Sequence, residues 1–156
     1  MAVYVSSLSA TPDQVIQPLT DTLLLFPFDQ DQMDQWGMHD PAQPDGITAA
    51  SSSQRAGLIW PSCEGWGHLT AEFQWEAGGY TEIRDAFMRD PLGLTDDPRN
   101  DTAREDRYPT GGYQWFVKNH QLSVHPGVPL GVMVRHNDKA PRKILYAQFK
   151  LAIHPW

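Results

Sequence analysis

The chain has 156 residues, 40% apolar and 11% aromatic, which is the size of one ordinary domain with enough apolar material for a core. Gly and Pro supply 25 residues, about 16% against a usual level near 12%, so short elements and many turns are expected and a helix bundle is not. No apolar run reaches the roughly 18 residues of a spanning helix, and a net charge of −7 with a pI near 5.2 gives no footing for nucleic-acid binding.

In chain order, Val3 to Val5 and Thr22 to Phe28 are short strand candidates. His68 to Glu76 is the clearest element, with every odd position apolar and every even one polar. A strand shows alternate side chains to opposite faces, so this segment reads as half-buried β. Thr81 to Asp90 fits either a short helix with Ile83 and Phe87 on one face or a strand entering a loop. Residues 91–112 show no periodicity and are expected to form a long surface loop, functional or mobile. Gln114 to Lys118, Leu122 to His125 and Val128 to Arg135 are further short strands; Pro129 and Gly131 give the last a bulge or an edge position. Leu145, Ala147, Phe149, Leu151 and Ile153 alternate with polar neighbours and close the series. Gly, Pro, Asn and Asp bound these runs, as in His125-Pro126-Gly127, and several short strands so punctuated mean an all-β sandwich or barrel. Leu69, Ala71, Phe73, Trp75, Leu145, Phe149, Leu151 and Ile153 are expected to point inward.

The charge is unevenly spread. Residues 1–54 hold seven Asp and no Lys or Arg, whereas 113–156 hold six basic residues against Asp138 alone. An acidic front and a basic back attract within or between subunits, or form two solvated faces. The start, Met1-Ala-Val-Tyr-Val-Ser-Ser, lacks the basic and apolar regions of a signal peptide, which predicts a protein that stays in the cytoplasm where it is made.

Chemistry-bearing patterns are sparse. Asp29-x-Asp31-x-x-Asp34 is the cation candidate, because clustered loop carboxylates suit Ca²⁺, although the glycine and distal Glu of a calcium loop are missing. The alternative is a solvated acidic turn. The six histidines show no zinc spacing, and His39 is expected to hydrogen-bond within its own turn, next to Asp40. Cys63, the single cysteine, has an acid, Glu64, beside it rather than a base, so it reads as a small packing residue. Glu72 and Glu76 share the polar side of a strand and read as solvated. No nucleophile elbow, phosphate loop or dinucleotide fingerprint occurs, so no catalytic residue and no cofactor is expected.

Six tryptophans are about three times the ordinary share for this length. A small domain buries one or two, and Trp is favoured in interface cores. Trp75, ending a clean strand, is assigned to the core. Tyr4, Val15, Ile16, Trp36, Trp60, Trp115 and Trp156 are the interface candidates, with Trp156 either pinned at an interface or frayed.

The segment Thr20-Asp-Thr-Leu-Leu-Leu-Phe-Pro-Phe-Asp, with Gly37-Met38-His39-Asp40 and Asp45-Gly46-Ile47-Thr48, resembles the opening of jelly-roll domains related to tumour necrosis factor and the complement globular head, the bacterial and phage members above all. Leu122 to Gly127 and the strand Leu145 to Ile153 resemble the end of such domains, and Ala56-Gly57-Leu58-Ile59 is similar to one of their middle strands. The resemblance implies an antiparallel two-sheet jelly roll over 21–156, with first and last strands adjacent, that assembles as a homotrimer. Residues 1–20 are then an arm or the first strand; the apolar Val3, Tyr4, Val5, Val15 and Ile16 favour an arm docked on a neighbour. It further implies a non-enzymatic virion protein of a tailed phage, decorating the outer capsid and contacting the major capsid protein. The alternative is a tail or fibre head that binds a receptor or glycan.

Overall fold

The computed structural model describes residues 1–28, 32–96 and 100–156, with the backbone alone at Asp101. Ten strands are described: β1 (Tyr4–Ala10), β2 (Gln14–Ile16), β3 (Thr22–Leu23), β4 (Gln32–Met33), β5 (Gly65–Trp75), β6 (Ile83–Arg89), β7 (Asn100–Arg107), β8 (Gln114–Val124), β9 (Leu130–His136) and β10 (Arg142–Pro155). They form two antiparallel sheets. One runs β4-β1-β10-β5-β8, with β2 also paired to β10; the other runs β3-β9-β6-β7. This is an all-β, two-sheet jelly roll with its first and last long strands adjacent.

The core lies between the sheets because each long strand alternates. Leu69, Ala71, Phe73 and Trp75 on β5 and Ala147, Phe149, Leu151 and Ile153 on β10 are all within 1% of full burial. Phe149 stacks on Phe87 of the opposite sheet with ring centroids 6.1 Å apart. A second, smaller cluster of Leu23, Leu58 and Trp60 covers the outer side of β9 at Met133.

Several expectations give way to the pairing pattern. Residues 4–10 are not an arm for a neighbour. They are the sandwich's own first strand, paired with β10 from Tyr4–Ile153 to Ala10–Ala147, and β2 joins the same strand at Ile16–Arg142. The long loop shrinks, because 100–107 is an edge strand against β6. Its sequence, Asn-Asp-Thr-Ala-Arg-Glu-Asp-Arg, hides it: charged side chains keep an exposed edge from pairing with other chains. Thr81 to Asp90 resolves as strand. Gln114–Lys118 and Leu122–Val124 are parts of one strand, whose inward positions include Lys118 and His120 as well as apolar residues. Leu145 does not point in. A register shift between Ile144 and Tyr146 makes Ile144 the buried residue and leaves Leu145 half-buried, since a bulge reverses the alternation. Ala56-Gly57 belongs to a 3-10 turn over Gln54–Gly57, not to a strand. No helix among the described residues is long and apolar enough to cross a membrane.

Candidate functional site

The outward side of the six-stranded sheet is built by the even positions of β5 and β10 and the odd positions of β8. Register sets their rows. At one end His154, Trp66 and Ser123 lie side by side; at the other, Tyr146, Gln74 and Trp115 do so. Between them run Lys150, Thr70 and Asn119, then Gln148, Glu72 and Val117. The middle is polar and the ends aromatic. Trp115 is 51% exposed, Val117 53% and Trp66 39%. Trp115 leans on Tyr146 at 5.4 Å between centroids, and Trp66 Nε1 donates to Gln121 Oε1 at 3.1 Å. Thr70 Oγ1 donates to Asn119 Oδ1 at 2.9 Å, and Gln148 donates to the Tyr146 hydroxyl. Rigid, half-covered aromatics above a hydrogen-bonded polar platform match the composition of a specific interface.

The opposite edge of the same sheet carries a second aromatic feature. Tyr4, at the start of β1 in the inward phase with Leu8, packs tilted against Trp36 with ring centroids 4.0 Å apart, and Trp36 keeps 41% of its surface exposed.

The seven interface candidates therefore divide. Trp36, Trp115, Trp156 and Val15 are exposed, and Tyr4 is half-buried. Ile16, at 0% exposure, and Trp60, at 3%, are corrections: both serve this subunit's own interior. Ile16 follows from β2 pairing with β10, and Trp60 from the turn that folds it over β9. Trp66 and Val117 went unassigned in the sequence. Each is an apolar residue in the polar phase of an alternating strand, which is the signal that would have found them.

The acidic turn is structural where it is described. Asp29 and Asp31 lie outside the described residues. Asp34 Oδ1 accepts the Met38 N–H at 3.0 Å and Oδ2 the His39 N–H at 2.8 Å, which turns the chain at Gly37, where φ is +62°. Among the described residues no three His, Cys, Asp or Glu side chains gather as a metal site. His39 departs from its expected role: it is 1% exposed and reaches out of its turn. Its Nε2 lies 2.9 Å from the Ala56 carbonyl and its Nδ1 2.8 Å from Gln32 Oε1. Burial holds its pKa below the ordinary imidazole value, against the Ala56 hydrogen bond and the Asp34 charge, which act the other way. Cys63 is half-buried, and burial raises its thiol pKa, which keeps it from acting as a thiolate.

A third cluster runs from the interior of the sandwich to its edge. Lys118 of β8, 1% exposed, faces Asp85 of β6, 0% exposed; Arg107 of β7, partly buried, and Glu105, whose side chain is 48% exposed, complete it toward solvent. Lys118 Nζ is 3.0 Å from Asp85 Oδ1 and 2.9 Å from Glu105 Oε1, and Arg107 Nε is 2.5 Å from Asp85 Oδ2. The Lys118 hydrogen bond, offset in part by desolvation, holds Glu105 below the usual carboxylate range. Nothing in the sequence singled out these four.

No family model matches the chain, and no curated protein matches it. Solved structures do match in fold. The globular domain of zebrafish complement 1qA is 9% identical, with 97% of each chain covered and a TM-score of 0.65. Eiger, a TNF from S. frugiperda, is 12% identical over 97% of this chain and 92% of its own, at a TM-score of 0.58. Murine APRIL is 13% identical over 96% and 99%, at 0.55. At these TM-scores, over nearly the whole of each chain, this chain has the C1q/TNF-like jelly-roll fold.

Proposed function

We propose that the chain assembles as a homotrimer through the outer side of its six-stranded sheet and works as a non-catalytic structural protein of a tailed-phage virion. In this reading the trimer sits on the outside of the capsid as a decoration protein and contacts the major capsid protein. One observation carries the assembly: four of the six tryptophans stay exposed, at 39% or more, and two of them, Trp66 and Trp115, lie in the outward rows of one sheet. A monomer gains nothing from leaving that much apolar surface in water, while a ring covers it. Support for the capsid comes from the phage-like form of Thr20 to Thr48.

Multi-angle light scattering tests the assembly: a mass near three times 17.6 kDa is expected, and a monomer at micromolar concentration overturns it. Co-sedimentation with phage capsids stripped of accessory proteins tests the partner. Saturable binding is expected; a trimer that ignores capsids overturns the decoration role. A second reading, a receptor- or glycan-binding head, is favoured by Tyr108 and Tyr113, 93% and 67% exposed on the turn between β7 and β8. These rings are free to stack on a sugar. Retention on a glycan array that is lost when both become Ala supports that reading.

A further inference from the structure

Lys118 and Asp85 stand in an unusual place for two charges. Lys118 alternates inward from β8, in the six-stranded sheet, and its register partner on β5 is Ala71, small enough to leave it room. Asp85 alternates inward from β6, in the other sheet, between Ile83 and Phe87. The pair bridges the two sheets. Aromatic rings bound it: Lys118 Nζ is 5.8 Å from the Phe87 ring centre, and Arg107 lies 5.0 Å above Phe116. Removing ions from water is costly even when they are paired. Converting an ammonium and a carboxylate into one amide takes both charges out of the interior.

The four side chains hold the groups such a condensation needs. A nucleophile must be held against the group it attacks, and Lys118 Nζ is in direct contact with the Asp85 carboxylate, 3.0 Å from its Oδ1. A relay must take a proton from the ammonium, and Glu105 Oε1 is 2.9 Å away; the Lys118 hydrogen bond that lowers its pKa makes it a weak base, so the bond forms slowly. A donor must stabilise the developing oxyanion, and Arg107 Nε lies 2.5 Å from Oδ2. We infer that Lys118 Nζ and Asp85 Cγ become joined by an intramolecular isopeptide bond.

The step balances. Lys118 passes one proton to Glu105, its register neighbour Asp85 receives that proton on Oδ1, and the freed amine lone pair attacks Cγ. The C=O electron pair moves to Oδ2 beside Arg107. Collapse restores the carbonyl at Oδ2 and breaks the bond to Oδ1, which takes a second proton from the attacking nitrogen and leaves as water. One –NH₃⁺ and one –COO⁻ give one –NH–CO– and one H₂O; Glu105 and Arg107 finish as they began, paired with each other at 3.1 Å. Once water has left, the packed interior opposes hydrolysis.

Intact mass spectrometry of the denatured full chain tests this. The expected mass is lower than that of the sequence by one water. Proteolysis should release one branched peptide containing both Asp85 and Lys118. Lys118→Arg, which keeps the charge but not the nucleophile, should restore the full mass, and Glu105→Gln should leave freshly purified protein unlinked. Succinimide formation at Asp45-Gly46 would lose the same water, but it persists in Lys118→Arg and yields no branched peptide. A folded wild-type chain that keeps its full mass after prolonged incubation overturns the inference and leaves the cluster as four non-covalent ions. So does a water loss that survives Lys118→Arg. Neither result depends on trimer formation or on capsid binding.

Discussion

Trp115→Ala should dissolve the trimer while sparing the fold. The side chain is 51% exposed, and its uncovered half is what a neighbouring subunit would bury. Aromatic side chains bury about 150–250 Å², so about 100 Å² remains to be covered. At about 25 cal/mol/Å² this is worth about 2.5 kcal/mol for each copy. Three copies in a ring make about 7 kcal/mol, and each 1.4 kcal/mol is about a factor of ten in an association constant. The association constant for trimer formation should therefore fall about 10⁵-fold. Sedimentation velocity across a dilution series reads this directly: the wild type should hold together at concentrations where the variant is monomeric. Urea unfolding of that monomer should show an intact sandwich, because Trp115 lies on the outward phase of β8 and its loss removes a surface contact with Tyr146 and no core residue. A variant that dissociates no more readily than the wild type refutes the assignment of this sheet face to the interface. A variant that unfolds shows instead that Trp115 serves the subunit.

Phe149→Ala removes a fully buried ring that packs on both Phe26 and Phe87, and a cavity of that kind costs about 3–5 kcal/mol, read as a lower urea midpoint at unchanged slope. Deleting residues 2–17 removes β1 and β2 and strips one edge of β10, so insoluble protein is expected; a soluble, folded truncation would contradict the pairing of the two end strands. His39 makes stability depend on pH. Its folded pKa lies below 6.5 because burial opposes the charged form. Below about pH 6.5 the unfolded chain therefore binds a proton that the folded chain refuses, and stability falls as pH drops, by at most about 1.4 kcal/mol per pH unit. Urea titrations between about pH 5 and pH 7.5 should show this slope in the wild type and not in His39→Gln; equal slopes would place the sensitivity elsewhere.

The alternation of β5 and β10 was legible from residues alone, because a strand buried on one side must place apolar groups two apart. Seven of the eight expected inward residues, Trp75 among them, follow from that rule. The eighth, Leu145, fails because a bulge is a property of two paired strands and leaves no mark on one. Strand β7 was illegible for the opposite reason: an edge strand needs charge to stay unpaired, so it looks like a loop. Ile16 and Trp60 appeared free because their segments are rich in turns. Their partners, β10 for one and the outer side of β9 for the other, are remote in the chain. The lysine at 118 counted only as part of a basic tail. What set it against Asp85, 33 positions earlier, was the stacking of two sheets, and contacts between facing sheets have no period along the sequence. Period, turn residues and tryptophan count thus determined the class of fold and the presence of surplus aromatic surface. Register and sheet packing alone decided which aromatics stay outside and which charges meet within.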